Sequence, residues 1–317
     1  MTSMLDTSPD LRPEPETGQH QRAPAGPFDV VTGLFVSARP RQWLKNLLVF
    51  AAPWAAGVLH EEPALRDASL AFVAFCAMAS GLYLFNDVVD RDADRVHPTK
   101  QFRPIAAGVV PPTGALVVAA VLGLAGIVAA AATGQASFVL LVVVYGAITV
   151  SYCLWLKHEP VIDLAAVAAG FVLRAVGGAA AVDVHVSAWF LIVALFGSLL
   201  MVTGKRRAEL EELEDAGDHR SVLEHYSSWF LDHVLAVSSA AVILAYCLWA
   251  LESDQLSGGG IYQDLSVVPF TIAILRYVLR IGNGEGGAPE DIVLHDRGLL
   301  ALGAVWAAVF GLGVYVA

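Results

Sequence analysis

The chain has little charge for its size. Charged residues make up 15% of its 317 residues, whereas an ordinary soluble domain has about a quarter. Hydrophobic residues make up 56%, which is more than a soluble globule of this length can hide from water. These proportions exclude a soluble enzyme, a secreted disulfide-rich scaffold and a nucleic-acid-binding protein. They predict an all-α integral membrane protein.

Cysteine is also scarce. Cys76, Cys153 and Cys247 lie far apart in apolar segments, and no pair has the CxxC spacing of a zinc or redox site. We interpret them as small buried hydrophobic residues. The alternating polarity of a membrane β-barrel is absent as well.

The N-terminal region has no long apolar run. Residues 1–27 contain five prolines and lack the hydrophobic core of a signal peptide, so we expect them to be disordered. We predict two parts, a disordered cytoplasmic tail and membrane approach over residues 1–42 and a nine-helix transmembrane domain over residues 43–317.

The transmembrane domain contains nine apolar stretches of suitable length. Each has about the number of residues that a helix needs to cross a hydrocarbon layer of ~30 Å. Gly and Ala are dense within them, which favours close helix packing in lipid. The predicted spans are 43–60, 67–90, 113–132, 137–156, 162–181, 187–204, 230–251, 265–281 and 298–316.

Basic residues predict the orientation. If the N-terminus is cytoplasmic, Arg66 is the one Lys or Arg that falls on the opposite side, while Arg174 and Arg276 fall within spans. So uneven a distribution follows the positive-inside rule. We therefore expect a multi-pass protein of the plasma membrane with its N-terminus and its main polar segments in the cytoplasm.

The most informative segment is YLFNDVVDRDADRVHPTKQFRP at residues 83–104, where the second span leaves the membrane. Asp87, Asp90 and Asp94 would share one helical face, with Asn86 beside Asp90. Carboxylates in this arrangement suit Mg²⁺, which prefers oxygen ligands and substrate phosphates. The bases that follow, His97, Lys100 and Arg103, would bind phosphate oxygens. The segment therefore predicts a magnesium–diphosphate site, although a solvated acidic helix end is the plainer alternative.

The pattern NDxxDxxxD at residues 86–94 resembles the first motif of the UbiA superfamily of intramembrane prenyltransferases. This resemblance implies a bundle of about nine helices with a polar cavity that faces the cytoplasm. Residues 43–317 would then form the catalytic domain, with Asp87, Asp90 and Asp94 as metal ligands and catalytic residues.

The sixth span departs from the superfamily pattern. A second Asp-rich motif, DxxxD, is expected there, but GKRRAE stands at residues 204–209. Lys205 and Arg206 suggest a ligand with an additional phosphate, or they act as a positive-inside anchor. The segments HPTKQFRPIAAG, LKHEPVIDLAAVAAGFVLRAVGGA and LEHYS resemble the branch that makes a cell-wall arabinan precursor. That branch implies 5-phosphoribosyl 1-diphosphate as donor and decaprenyl phosphate as acceptor.

Four further residues are candidates for substrate binding. Asp163 and Arg174 lie three turns apart on one face of the fifth span. An arginine this deep must face the protein interior or a wet cavity, where it either binds a phosphate or pairs with a carboxylate. Lys157 lies at the cytoplasmic mouth, where anchoring is an equal explanation. Tyr226 either hydrogen-bonds the donor or packs between helices.

These observations lead to one mechanism and two rivals. A polyprenyl phosphate oxygen would attack the ribosyl carbon as diphosphate leaves, and no general base is required because that oxygen is already anionic. A prenyltransferase with an aromatic acceptor should carry the second Asp motif. A transporter should carry polar residues at the membrane midplane. Apart from membrane lipid and the two substrates, the sequence indicates no partner, and it leaves homo-oligomer formation open.

Overall fold

The computed structural model describes residues 26–216, 225–257, 260–285 and 289–315. Within these residues every regular element is helical, which confirms the predicted fold class. The α-helices are α1 Pro27–Ser37, α2 Ala51–Ala55, α3 Glu62–Val89, α4 Arg91–Val96, α5 Pro112–Ala131, α6 Ala136–Leu154, α7 Ile162–Ala181, α8 Ala188–Ala216, α9 Ser228–Ser257, α10 Gly260–Arg280, α11 Pro289–His295 and α12 Arg297–Tyr315. Short 3₁₀ turns lie at Lys100–Phe102 and Leu156–His158, and a π-helical turn follows α10 at Ile281–Glu285.

Eight of these helices are long and apolar enough to cross a membrane, namely α3, α5, α6, α7, α8, α9, α10 and α12. They correspond to the second to ninth predicted spans. Proline at the first or second position begins α1, α3 and α5, where its missing N–H is not needed. Helices α8 and α9 run past their predicted spans, because a helix does not have to end where the hydrocarbon layer ends.

The first predicted span is not a regular α-helix. Residues Pro40–Phe50 form a 3₁₀ segment that continues into α2. It runs antiparallel to α3: Trp43 Nε1 donates to Ser80 Oγ at 3.0 Å, and the rings of Phe50 and Phe72 lie 6.0 Å apart. A 3₁₀ helix rises about 2.0 Å per residue, so eleven residues cover about the same ~22 Å as fifteen residues of α3. The segment thus follows about half of the length of α3, although the count of nine crossings stays a prediction.

A close contact fixes this segment against α7. A Cβ atom added at Gly178 would lie 1.7 Å from the carbonyl oxygen of Val49. Only glycine permits such an approach between two backbones. On the other side the segment packs into a buried cluster of Phe75, Phe138 and Tyr145. These contacts bring the chain before Pro40 to the end of α3, where the acidic residues lie.

Candidate active site

The acidic segment lies where α3 ends. Asp90 follows the last residue of α3 with φ −86° and ψ 0°, and α4 then carries Asp94. The spacing predicts that the three aspartates lie along one helix. The structure instead interrupts that helix at Asp90. The backbone remains tightly coiled, since the Asp94 N–H donates to the Asp90 carbonyl at 2.8 Å.

Asp87 and Asp94 are buried and share one arginine. Arg103 Nη1 lies 3.3 Å from Asp87 Oδ1 and 2.7 Å from Asp94 Oδ2. Arg39 Nη2 donates to Asp87 Oδ1 at 2.5 Å. A buried carboxylate is costly without a cation, and only 2% of Asp87 and 4% of Asp94 is exposed. These two arginines therefore neutralise the pair in place.

Asp90 has a different cation. Lys157 Nζ lies 2.5 Å from Asp90 Oδ1, and the side chains of both are about a quarter exposed. Lys157 belongs to the 3₁₀ turn between α6 and α7. This pair ties the end of α3 to the connection that leads to Asp163, and it confines Lys157 to the acidic segment.

A second polar centre joins α7 to α8. Asp163 is fully buried, and its Oδ2 accepts from Arg206 Nε at 3.0 Å. Arg206 also donates to Glu209 Oε2 at 2.5 Å and to the Tyr152 hydroxyl at 3.1 Å. The Tyr226 hydroxyl donates to Asp163 Oδ1. The structure thus brings together three predicted residues, Asp163, Arg206 and Tyr226.

The backbone at this centre is strained. Val161 has φ +67° and ψ −41°, a conformation that a β-branched residue rarely adopts. Its N–H donates to the Tyr226 hydroxyl at 2.6 Å. Burial, followed by the hydrogen bond to Asp163, raises the pKa of Tyr226. Strain of this kind persists where the surrounding contacts fix the backbone, which is common at functional sites.

Arg174 lies deeper than either centre. It is 5% exposed and donates to Asn46 Oδ1, the Gly170 carbonyl and the Tyr145 hydroxyl at 2.6, 2.6 and 2.7 Å. Its guanidinium carbon lies 4.7 Å from the centroid of the Tyr145 ring. These acceptors are neutral, so in the described part of the chain Arg174 does not pair with a carboxylate, and its binding of a phosphate stays a prediction.

The other predicted residues surround the two centres. His97 Nδ1 accepts the backbone N–H groups of Thr99 and Lys100 at 3.2 and 3.3 Å, so it shapes the loop that leads to Arg103. Asn86 is half-buried in the last turn of α3. Lys205 is 48% exposed and lies 3.8 Å from Glu209.

The acidic centre suits Mg²⁺ chemically, although the described residues contain no group of three His, Cys, Asp or Glu side chains close enough to hold a metal. Arg103 Nη1 contacts an oxygen of Asp87 and an oxygen of Asp94. A positive charge thus already lies between two carboxylates. Hard oxygen donors at the end of a span are the ligands that Mg²⁺ prefers. The chemical type of the donors therefore suits the ion.

An apolar cavity of about 580 Å³ extends below the polar centres, with walls from α2, α7, α8, α9, α10 and α12. Phe171 and Met201 lie at its inner end. Along their helices they are about 12 Å from Asp163 and about 7.5 Å from Arg206. The cavity continues to Ser187, before the start of α8. Its volume and apolar lining are typical of a ligand site.

Another cluster fixes the start of α12. Asp296 accepts from Arg276 Nε at 2.9 Å and from Arg280 Nε at 2.5 Å. It also caps α12 by accepting the N–H groups of Gly298 and Leu299 at 2.7 and 2.9 Å. These hydrogen bonds, that from Arg276 foremost, hold the pKa of Asp296 well below its usual range.

The model of the UbiA prenyltransferase family matches residues 47–286, three quarters of the chain. The chain belongs to the UbiA prenyltransferase family. The resemblance found in the sequence is confirmed, and the protein is a membrane-embedded transferase of the UbiA family.

Relatives and solved structures support the UbiA assignment over nearly the whole length. The chain is 46% identical over 293 residues to the decaprenyl-phosphate phosphoribosyltransferase of Mycobacterium tuberculosis, covering 91% of this chain and 96% of that protein. It is 42% identical over 320 residues to the protein of the same name from Corynebacterium glutamicum, covering 98% and 96%. A UbiA homologue from Archaeoglobus fulgidus bound to DMAPP and Mg²⁺ has the same fold, with a TM-score of 0.68, 20% identity and coverage of 89% and 98%.

Sequence reasoning missed several residues of this UbiA site. Arg39, Tyr152 and Glu209 take part in these contacts but are not among the site residues that the sequence predicts. Arg39 lies 48 residues before Asp87, so no local spacing connects the two. The signal that could have singled out Tyr152 is a polar ring near the C-terminal end of an otherwise apolar span.

Proposed function

We propose that this protein transfers the 5-phosphoribosyl group of 5-phosphoribosyl 1-diphosphate to decaprenyl phosphate and releases diphosphate. The observation that carries the proposal is the presence of two polar centres at one end of the bundle, above one apolar cavity. This donor has a diphosphate at one end and a single phosphate at the other, so it needs two such centres. A lipid-linked acceptor needs the cavity. The names of the mycobacterial and corynebacterial relatives point to the same reaction.

The acidic centre is the proposed diphosphate site. Asp87, Asp90 and Asp94 would hold Mg²⁺, which supplies positive charge against the leaving diphosphate. Arg39 and Arg103 already lie against these carboxylates at 2.5–3.3 Å. Guanidinium groups bind phosphate oxygens through short charge-assisted hydrogen bonds. They would therefore hold the diphosphate while the bond between C1 and its oxygen breaks.

The second centre is the proposed site of the 5-phosphate. Arg206 is aligned by Asp163 and Glu209 through bonds of 3.0 and 2.5 Å, and Lys205 lies one residue before it. A prenyl diphosphate has no phosphate at its other end. A basic centre in place of a second Asp motif therefore favours a phosphoribosyl donor over a prenyl donor.

The acceptor supplies its own nucleophile. One oxygen of decaprenyl phosphate forms the new bond to C1 from the face opposite the diphosphate, and inverts that carbon. The ribosyl centre is oxocarbenium-like at this point, as in glycosyl transfer generally. We assign the polyprenyl chain to the apolar cavity, because its inner end reaches within about two helical turns of Asp163 and Arg206.

The charge distribution supports a cytoplasmic site in the plasma membrane. The two centres share their end of the bundle with most of the described Lys and Arg residues, while Arg66 lies in the first turns of α3 at the other end. By the positive-inside rule the basic end faces the cytoplasm. The N-terminus would lie on the same side.

The test follows a labelled donor into lipid. The full-length protein in lipid nanodiscs is given Mg²⁺, decaprenyl phosphate and 5-phosphoribosyl 1-diphosphate labelled in its ribose, and label is measured in the organic extract. Asp87→Asn should lower the rate by about 100-fold or more, because charge stabilisation at a leaving group is worth that much. Asp92→Asn is the matched control, since that side chain is 91% exposed, and it should keep the normal rate.

Two outcomes would contradict the proposal. If label enters lipid at equal rates with both variants, the acidic centre is not the diphosphate site. If product forms only from a prenyl diphosphate and an aromatic acceptor, the protein is a prenyltransferase of the ordinary UbiA type. Gel filtration of each variant shows whether the bundle is intact.

A further inference from the structure

Helix α1 exposes its large apolar residues and buries small ones, the opposite of a surface helix on a soluble protein. Its buried residues are the small Gly33 and Ser37. Its large apolar residues point outward, with Phe28, Val31 and Phe35 exposed by 81, 64 and 63%. Positions 28, 31 and 35 form one stripe of the helix. Such a stripe is unfavourable in water and suits an apolar medium.

The position of α1 places this stripe at the edge of the membrane. Ser80 Oγ donates to the Ala38 carbonyl at 3.0 Å, and Leu34 packs against the buried cluster that includes Leu84 and Val110. Helix α1 therefore lies beside the last three turns of the α3 span. An amphipathic helix at a membrane surface sits at this depth, with its apolar face about 5–10 Å into the headgroup–acyl boundary.

The surface next to α1 has the same character. Leu44 and Leu47 on the 3₁₀ segment, which follows α1 in the chain, are about half exposed and add to the exposed apolar surface. Arg41, between them and α1, is exposed. A basic side chain beside an apolar stripe favours anionic lipid headgroups.

Two parts of α1 adjoin the segments that carry Arg39 and Arg103, the residues that pair with Asp87. The residue that follows Ala38 is Arg39, which pairs with Asp87. Gly33 packs on the loop after Arg103, so closely that an added Cβ would lie 2.7 Å from Val110 Cγ2 and 3.2 Å from Pro104 Cβ. A displacement of α1 would therefore move both arginines.

We propose that α1 is an interfacial helix that docks its Phe28–Val31–Phe35 stripe into the cytoplasmic leaflet, and that this docking holds Arg39 and Arg103 against Asp87. The occupant of the exposed face is thus lipid, and anionic lipid in particular. The docking itself needs no substrate. Its effect on activity rests on the proposed function.

The first experiment measures depth without substrate. Single spin labels are placed at Phe35→Cys and Val96→Cys in the full-length protein with Cys247→Ser, in vesicles of phosphatidylcholine mixed with phosphatidylglycerol. Val96 is the control, because it is 86% exposed but lies on α4, beyond the end of the span. The label at 35 should collide with oxygen and be shielded from a water-soluble nickel reagent, and the label at 96 should do the reverse. Equal exposure of both labels to the nickel reagent, or shielding at 35 that persists in detergent through contact with another protein chain, would overturn the proposal.

The second experiment measures coupling to the site. Phe28→Ser with Phe35→Ser removes two exposed rings and few internal contacts, and should lower docking about tenfold or more. The KM for 5-phosphoribosyl 1-diphosphate should rise by a similar factor while KM for the acceptor changes little, and the rise should be greater in phosphatidylcholine alone than with phosphatidylglycerol. Val96→Ser should match the unaltered protein. An unchanged donor KM in the double variant would refute the coupling. Failure of the proposed function would look different, because no variant would transfer label while the spin-label experiment would still show α1 in the membrane.

Discussion

Replacing Asn46 by leucine should destabilise the protein more than replacing Asn46 and Arg174 together. In Asn46→Leu, Arg174 keeps its charge at 5% exposure but loses the acceptor that lies 2.6 Å from its Nε. Leaving an N–H of a buried charged group without its acceptor costs more than the ~1–3 kcal/mol of a neutral group. In Asn46→Leu/Arg174→Met the charge is absent, and the main loss is the hydrogen bond to the Tyr145 hydroxyl, about 1–3 kcal/mol. The double variant should therefore be more stable than Asn46→Leu.

The assay is equilibrium unfolding in a denaturing-detergent titration, with Arg174→Met alone as the third variant of the cycle. Leucine is close to asparagine in shape. The contact from Asn46 to Cys76 Sγ at 3.1 Å is lost both in Asn46→Leu and in the double variant, so it does not affect their comparison. Distant, independent substitutions add to within about 0.5 kcal/mol. If the stability losses of Asn46→Leu and Arg174→Met simply add in the double variant, the loss of Asn46 does not act through the charge of Arg174, and the reasoning fails.

Three further predictions concern separate contacts. Lys157→Met should raise the donor KM in the transfer assay while changing unfolding stability by no more than about 1 kcal/mol, because a partly exposed pair adds little; a large stability loss with normal KM would show a structural role. Gly178→Ala should abolish the monodisperse gel-filtration peak, because its Cβ would meet a backbone carbonyl oxygen at 1.7 Å, whereas Gly303→Ala, with nothing within 4 Å, should behave normally. Arg276 and its neighbours lower the pKa of Asp296, so the ionised carboxylate should stabilise the fold at pH values above its ordinary pKa of about 3.9, and this stabilisation should be lost as the pH falls further. Thermal stability measured from neutral pH down to pH 3 should therefore decrease at the acid end, and the decrease should be smaller in Asp296→Asn. An equal decrease in the variant would disprove the assignment.

Composition and periodicity were sufficient to predict the spans. Eight of the nine predicted spans are single helices, because twenty apolar residues that must satisfy their own hydrogen bonds in lipid have few alternatives to a helix. The first span was harder. It is less apolar than the others, with Lys45 and Asn46 near its start. It also makes close contact with α7 at Gly178 and hydrogen bonds to α3, and these contacts accompany its 3₁₀ conformation. Such contacts are not encoded in the segment's own pattern.

The sequence by itself determined which residue types meet at the basic end of the helix bundle, because the aspartates, their spacing and the uneven distribution of Lys and Arg are local properties. Only the tertiary structure decided their partners. Arg39 reaches Asp87 across 48 residues and Arg206 reaches Asp163 across 43, and the choice between candidate cations depends on which helices are neighbours. The same holds for α1, whose outward-facing phenylalanines acquire a meaning only once Gly33 is seen against the loop that carries Arg103. Charge and hydropathy set the depth of a segment, while packing sets what its side chains touch.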